Sequence, residues 1–461
     1  MKQAWLASFA AVALMSGCTG SSSGGGSGST GATSTATTAP KAEAPDAPTG
    51  EGKIAGAIDV SAFKGGYDID FYQQCAKEFD AKNPGVQSTV TGDPRIWEQL
   101  QPRMVADNPP DLMFPGWDMH FWLLAEQGKI MRLEKALASP AAEGKGTWGD
   151  SFDPAILKMG QLDGKQFVLP YYINLQGWWY DPGVFVKNGW TPPKTYDELL
   201  ALCEKIKAKG MAPLTFQGQY PYYMLEGMVF PWIVSIGGIQ AMNDCQNLTP
   251  GAWKSPAVLQ AVSMIKELND KGYFEQGAVG LSHTESQTDF VSGKVAMIPC
   301  GTWLYSEMRK TMPPGAKMQF MLPPVVKGGK GDPSALEIGI EPWMIPSKAK
   351  NPNGGVALFK YMTSLSKAKQ FVAEKGTLMA IKGSDQTQLP ETLVEAAKAY
   401  RASKTLWSNQ ARYWYPEMQK DLEGDITGVL NGEMTPQDFC DKAEAAAEKT
   451  RNDSSISKHK V

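Results

Sequence analysis

Three aromatic residues, Trp117, Tyr222 and Trp303, each lie just after a stretch that reads as a strand, beside prolines, glycines and polar side chains. A flat ring next to carboxylates and amides suits a ligand with an apolar C–H face and an equator of hydroxyls, such as a pyranose. Tyr222 and Trp303 are therefore expected to be stacking platforms. Asp118, Gln217, Glu285, Gln287 and Glu341 are the expected polar partners, because hydroxyl-to-carboxylate bonds are charge-assisted and discriminate strongly. The competing reading is plain: rings pack, and carboxylates cap helices or face solvent. Catalysis has less support. A glycosidase needs two carboxylates at a fixed separation. Asp118 and Glu341 are conceivable as such a pair, but no local motif marks them. G-x-S-x-G is absent from the part expected to fold, and so are H-E-x-x-H and a phosphate-binding loop.

The elements that would hold these residues begin near Lys53. Strands are expected over 54–63, 87–90 and 111–114. Helices are expected over 67–83, 95–106 and 121–128. Strands alternating with helices argue for an α/β fold with a largely parallel sheet. In such sheets ligands sit beyond the carboxyl ends of the strands, which places Phe63, Lys64, Trp117 and Asp118 at a candidate rim. Leu162-Asp163-Gly164-Lys165 is a hairpin turn signal. It leads to Leu169-Pro-Tyr-Tyr-Ile-Asn-Leu-Gln-Gly-Trp-Trp-Tyr-Asp-Pro182, which reads as the passage from one lobe to another, with rings such as Tyr172 at the mouth of a cleft. The alternative is a buried strand whose rings are core. Trp178 and Trp179 are adjacent and on a strand face opposite sides, so at most one lines a cleft. Helices are expected over 195–209, where Thr195 and Glu198 form a capping box, and over 255–271, with Pro256 in the first turn. A strand ends near Gln217, another precedes Trp303, a third covers 342–347 before a helix over 354–363, and residues 390–450 read as mostly helical.

Composition narrows the class. The chain has 461 residues, 45 basic and 48 acidic side chains and a formal net charge of −3, so it offers no basic field for nucleic acid. Its 14 tryptophans suggest binding as much as packing. The three histidines, His120, His283 and His459, are too far apart for a local metal motif, and neither metal nor cofactor is expected. Cys75, Cys203, Cys245, Cys300 and Cys440 form no CxxC pair, and no disulfide is assigned. Residues 1–18 read as a targeting segment: Lys2 supplies charge and residues 4–15 an apolar run too short for a permanent span. Met15-Ser16-Gly17-Cys18 resembles a lipobox, which makes Cys18 the expected lipidation site, although the usual leucine stands one place early at Leu14. Residues 19–52 are rich in Ser, Gly, Thr, Ala and Pro and read as a disordered tether with a reach of roughly 30–35 Å.

Four segments then carry a family resemblance. NPPDLMF (108–114), LPYYINLQGWWYDPGVFVKNGWTPPKTYDELL (169–200), FVSGKVAMIPCGTW (290–303) and WMIPSKAKNPNGGVALFKYMTS (343–364) resemble, in this order, the extracytoplasmic solute-binding proteins of bacterial sugar ABC importers. Within that family, APLTFQGQYPYY (212–223), NLTPGAWKSP (247–256), SHTESQ (282–287) and IPCGTW (298–303) are similar to N-acetylglucosamine- and diacetylchitobiose-binding lipoproteins. The resemblance implies a two-lobed periplasmic-binding-protein fold with discontinuous lobes and a hinged interlobe cleft. Lobe one is expected at 53–170 and 338–380, lobe two at 172–336 and 384–455. It implies a monomer that hands a small sugar to ABC permease subunits while held to the membrane by a lipid. By likeness to maltodextrin-binding relatives, Asp118 is a sugar carboxylate and Tyr222, Trp303 and Trp414 are stacking rings. Those relatives carry an acid where this chain has Tyr220, which argues against maltose. An anchored glycoside hydrolase or lyase and a non-transport sensor are the alternatives.

Overall fold

The computed structural model of the chain describes residues 43–116 and 119–461. Cys18, the tether up to residue 42, Trp117 and Asp118 lie outside the described residues.

The first sheet is the expected alternation of strand and helix. β1 (Gly56–Phe63) lies between β2 (Val86–Asp93) and β3 (Leu112–Phe114), and both pairings are parallel. The helices Asp70–Lys82 and Ile96–Val105 make the crossovers and bury Phe71, Tyr72, Cys75 and Phe79, and Ile96, Leu100 and Met104. Buried Asp111, just before β3, accepts the backbone N–H of Asp59 at 2.9 Å and that of Asn351 at 2.6 Å. It thereby ties the returning chain to this sheet. β4 (Gln161–Leu162) and β5 (Lys165–Gln166) form the predicted hairpin, with positive φ at both Asp163 (50°) and Gly164 (74°), as a type I′ turn requires.

The second sheet departs from the parallel expectation. It contains β6 (Leu169–Tyr180), β7 (Ala212–Leu214), β8 (Val295–Gly301), β9 (Gln319–Met321), β10 (Leu336–Trp343), β11 (Leu378–Met379) and β12 (Leu406–Trp407). β6 runs antiparallel to four partners and is buried along its whole length. Its first half, up to Leu175, pairs with β10 and β11; from Gln176 onward it pairs with β8, and from Trp178 also with β9. Only the outer pairs, β7 with β8 and β10 with β12, are parallel. A single long strand that serves both halves of the molecule has to meet chains arriving from either side, so the sheet is mixed. The strand expected over 342–347 is displaced to Leu336–Trp343; Pro346 has no N–H for a ladder, and beyond Trp343 only isolated bridges from Met344 to Met113 and from Pro346 to Ile130 remain.

Two hydrophobic cores result. One gathers β1–β3, their helices, the helices Pro352–Met362 and Leu365–Lys375, and the first half of β6. The other gathers the helices Tyr196–Ala208, Phe230–Gly237 and Pro256–Asp270 with the C-terminal helices Pro416–Leu430 and Pro436–Asn452. The adjacent tryptophans divide between them: Trp178 belongs to the second and donates its indole N–H to Gly227 O at 2.9 Å, while Trp179 belongs to the first and donates to Cys300 O at 2.9 Å. Neither reaches a cleft. The alternation of side chains on a strand sends them to opposite sides, and both sides are core. Gly177 before them has no room for a side chain, because an added Cβ would lie 2.2 Å from the Phe320 ring. Truncation of either indole removes a fully buried ring and its hydrogen bond. Trp178→Ala and Trp179→Ala are each expected to cost about 3–5 kcal/mol, read as a lowered urea midpoint by circular dichroism. An unchanged midpoint in either variant would contradict this division of the cores.

Candidate ligand-binding cleft

Where β6 passes from one core to the other, its open face and that of β10 form the floor of a cleft of about 590 Å³. Tyr172, Asn174 and Gln176 alternate along β6, and Gly339 and Glu341 lie along β10. The pairing of β6 with β10 slips between Ile340 and Pro342, so Glu341 sits in a bulge. Bulges bend the ladder and re-aim a side chain. The Glu341 carboxylate accepts from Asn174 Nδ2 at 2.5 Å, and Tyr67 O–H donates to Asn174 Oδ1 at 3.4 Å. Burial pushes Glu341 up to about 8, although the Asn174 hydrogen bond and the charge of Arg412 pull the other way. Four residues earlier on the same face, buried Glu337 is also pushed well above the carboxyl range, by burial and by the negative charge of Glu226.

One wall is a column of stacked groups. Arg412 lies 4.0 Å over the Tyr222 ring, Tyr222 stacks on Tyr223 at 4.2 Å, and Tyr223 stacks on His283 at 5.4 Å. A carboxylate holds each end. Glu226 pairs with Arg412 Nη1 at 3.1 and 3.3 Å, and Glu307 pairs with His283 Nε2 at 2.6 Å. Glu226 lies in a single π-helical turn, Leu225–Val229, a local irregularity found often at functional sites. Tyr223 O–H meets His283 Nδ1 at 2.8 Å, so a neutral His283 that donates from Nε2 to Glu307 accepts from the tyrosine. Tyr222, an expected stacking ring, lies within this column. Arg412 and Tyr223 both lie against its ring, and it lines the cleft.

Trp303 differs. It follows β8 at the start of the helix Trp303–Met308, is half-buried, and lines the cleft. Its ring rests on Gly301, where an added Cβ would lie 2.0 Å from the indole. Phe63, also lining the cleft, is bracketed in the same manner by Gly65 and Gly116, whose added Cβ atoms would fall 2.4 and 3.0 Å from its ring.

Phe63, Tyr172, Tyr220, Tyr222, Trp303 and Glu341 of the expected residues line the cleft, together with Lys64 from the candidate rim. The other described ones do not. Gln217 is fully buried and donates to Pro299 O at 3.4 Å. Glu285 is exposed and closes a capping box with Ser282, so its alternative reading as a cap holds. Gln287 is one layer behind the wall, donating to Glu307 at 2.7 Å. Trp414 packs 5.4 Å from the His459 ring, and its neighbour Tyr413 lines the cleft instead. At 195–198 the cap is partial: Thr195 accepts from Glu198 N, but the Glu198 side chain takes the N–H of Lys194. Tyr67, Asn174, Gln176, Tyr223, Glu226, His283, Glu307, Arg412 and Tyr413 are additions that the sequence reading misses. Asn174 and Gln176 are findable by counting every second residue from Tyr172; Glu226 and Arg412, 186 positions apart, carry no local signal. Among the described residues no group of three or more His, Cys, Asp or Glu could hold a metal ion.

Two cores with a polar, ring-lined cleft between them match a known family. Residues 65–369 fit the bacterial extracellular solute-binding proteins. The chain belongs to this family. It is 26% identical over 416 residues to the diacetylchitobiose binding protein NgcE of Streptomyces coelicolor, covering 88% of this chain and 87% of that one. It is 22% identical over 321 residues to a multiple sugar-binding protein of Streptococcus mutans, covering 67% and 71%. Among solved structures it superposes on a chitin oligosaccharide binding protein with a TM-score of 0.73 at 21% identity, over 86% of this chain and 98% of the other. It also superposes on RafE in complex with raffinose with a TM-score of 0.68 at 21% identity, over 85% and 99%. The solute-binding chain thus has the two-lobed fold and an extracytoplasmic place of work.

The raised Glu341 makes a signed prediction. Below the ordinary carboxyl value of 4.5 the folded and unfolded chains both hold this proton. As pH rises from there toward about 8, the unfolded chain releases it and the fold retains it, so the fold binds more protons and stability falls across that window. Urea unfolding near pH 5 and pH 8 is expected to show the wild type losing stability relative to Glu341→Gln at the higher pH. Equal loss in both would assign the slope to another group.

Proposed function

We propose that this chain is the carbohydrate-capturing component of an ABC importer, with N-acetylglucosamine or a short oligosaccharide of it, such as diacetylchitobiose, as the ligand. The observation that carries the reading is the cleft itself: one indole, Trp303, laid on a glycine in a cleft that Glu341, Asn174 and the His283–Glu307 pair also line. An apolar wall with a few placed polar groups is what a pyranose requires. The NgcE relative supports the choice of amino sugar.

We read lobe one as about 53–170 with 338–380 and lobe two as about 172–336 with 384–455. β6 and β10 connect them. A ligand that touches Trp303 on one side and Glu341 or Phe63 on the other stabilises the closed form, and it shifts the equilibrium by no more than those differential contacts. Hinged closure of two lobes around a ligand is the general behaviour of periplasmic binding proteins. The closed protein then meets the permease subunits. Micromolar affinity, about −8 kcal/mol, allows both capture and release. The chain is not an enzyme in this reading: Glu226 and Glu307 are engaged by Arg412 and His283, which leaves no free pair of described acids facing one bond. It works as a monomer, held to the membrane through a lipid on Cys18.

Calorimetry against diacetylchitobiose, N-acetylglucosamine, maltose and xylobiose tests the ligand. Micromolar binding of an acetylated amino sugar without turnover is expected, with loss of at least about tenfold, 1.4 kcal/mol, in Trp303→Ala and in Gly301→Ala, whose methyl group displaces the indole. Binding of maltose or xylobiose alone would overturn the ligand class and keep the transport role. For the anchor, Cys18→Ala is expected to move the protein from the membrane fraction to the soluble one; unchanged fractionation would reject lipidation at this residue.

A further inference from the structure

The acids lining the cleft are not all met by cations, and Glu341 is the least provided. Among the described residues lining it, Glu226 has Arg412, Lys64 at the rim has Asp68 at 3.7 Å, and Glu307 is met by two hydrogen-bond donors, His283 and Gln287. Glu341 has no cation. Its described partner is the neutral amide of Asn174. Tyr67 O–H, 3.4 Å from the amide oxygen, favours the orientation that turns the NH2 toward the carboxylate. One Glu341 oxygen is therefore occupied, and the bulge between Ile340 and Pro342 places the residue at the cleft floor. Other groups acting on it supply no nearby positive charge. Arg412 lies beyond ion-pair distance, and Tyr67, Tyr72, Tyr172 and Tyr413 are phenols held protonated by burial.

A carboxylate at the floor of a closing cleft needs a counter-charge or a proton once water leaves. A fully acetylated sugar brings no charge. An amino sugar whose nitrogen is free brings an ammonium group, with three donors to meet the remaining carboxylate oxygen in a charge-assisted bond. We propose that Glu341 is a subsite for the ammonium group of a deacetylated amino-sugar unit, so that the cleft prefers partly or fully deacetylated oligosaccharides over fully acetylated ones. Burial raises the affinity of Glu341 for its proton, and an ammonium group brought into the cleft would act against that rise. The proposal rests on the amino-sugar reading of the cleft and narrows its ligand.

The test compares two disaccharides on the full chain by calorimetry near pH 7 at low salt: diacetylchitobiose and its doubly deacetylated counterpart. The deacetylated sugar is expected to bind about tenfold tighter or better, as charge-assisted bonds exceed neutral ones. Raising the salt is expected to shrink that advantage, and Glu341→Gln to bring the ratio of the two affinities toward one. Glu341→Asp, which keeps the charge, is expected to retain part of the preference and guards against loss by misfolding. Equal or weaker binding of the deacetylated sugar by the wild type, or a ratio unchanged in Glu341→Gln, would overturn the proposal and leave the acetylated reading standing. Binding of the deacetylated sugar alone would support it and overturn acetylated ligands. Binding of neither would reject both.

Discussion

The structure depends on β6 being shared. A twelve-residue strand buried along its whole length must satisfy its ladder on both edges. Here it does so by changing partners part-way, from β10 and β11 to β8 and β9. Thr302 seals the handover: its N–H donates to Leu175 O at 3.1 Å, and its hydroxyl accepts from Leu175 N at 3.2 Å. With the backbone satisfied in this way, two cores can use one strand: Tyr172 belongs to the first and Trp178 to the second, and the polar Asn174 and Gln176 lie between them. Tyr172, Asn174 and Gln176 all line the cleft. The cleft floor is therefore a consequence of the passage from one core to the other.

The wall is held differently, by charge at a distance in sequence. Arg412 belongs to the C-terminal part and Glu226 to the π-helical turn after β7, and their buried pair carries the Tyr222–Tyr223–His283 column between Glu226 and Glu307. A buried ion pair is weak as a source of stability but demanding in geometry. Its contribution is to fix the two tyrosine rings against each other and leave the indole of Trp303 as the flat surface.

Local signals read well where local physics decides. The parallel β1–β3 sheet, the hairpin at Asp163-Gly164 and the helices after Thr195 and Ser255 all follow from periodicity, turn residues and caps within a few positions. The mixed sheet around β6 does not, because its partners come from residues near 170, 300, 320, 340 and 378. The same division runs through the site. Trp303 and Glu341 are legible from position beside strand signals, and the family resemblance reinforces Trp303. Glu285 closes a cap, as its own sequence, Ser282-x-x-Glu285, spells out. Tyr222 is legible as a cleft residue, but no spacing reveals that Arg412 lies over its ring. His283, Glu307 and Gln287 form a network across two helices that becomes visible only when the backbone brings them together.

Glycines mark where the backbone makes room for the rings. Gly301 lets an indole lie flat on a strand end, Gly65 and Gly116 bracket Phe63, and Gly66 allows the loop after β1 to approach Glu307, where an added Cβ would lie 2.7 Å from its side chain. Gly301, Gly65 and Gly66 do not have a φ that demands glycine; only Gly116, at 77°, does. The constraint is steric. Rings packed this closely against backbone are held there by contact. On the proposed hinged reading, the movement of capture and release falls to β6 and β10, the strands that join the lobes. The bulge at Glu341 lies on one of those strands, so the residue at the cleft floor is also placed where a change in lobe angle acts on it directly.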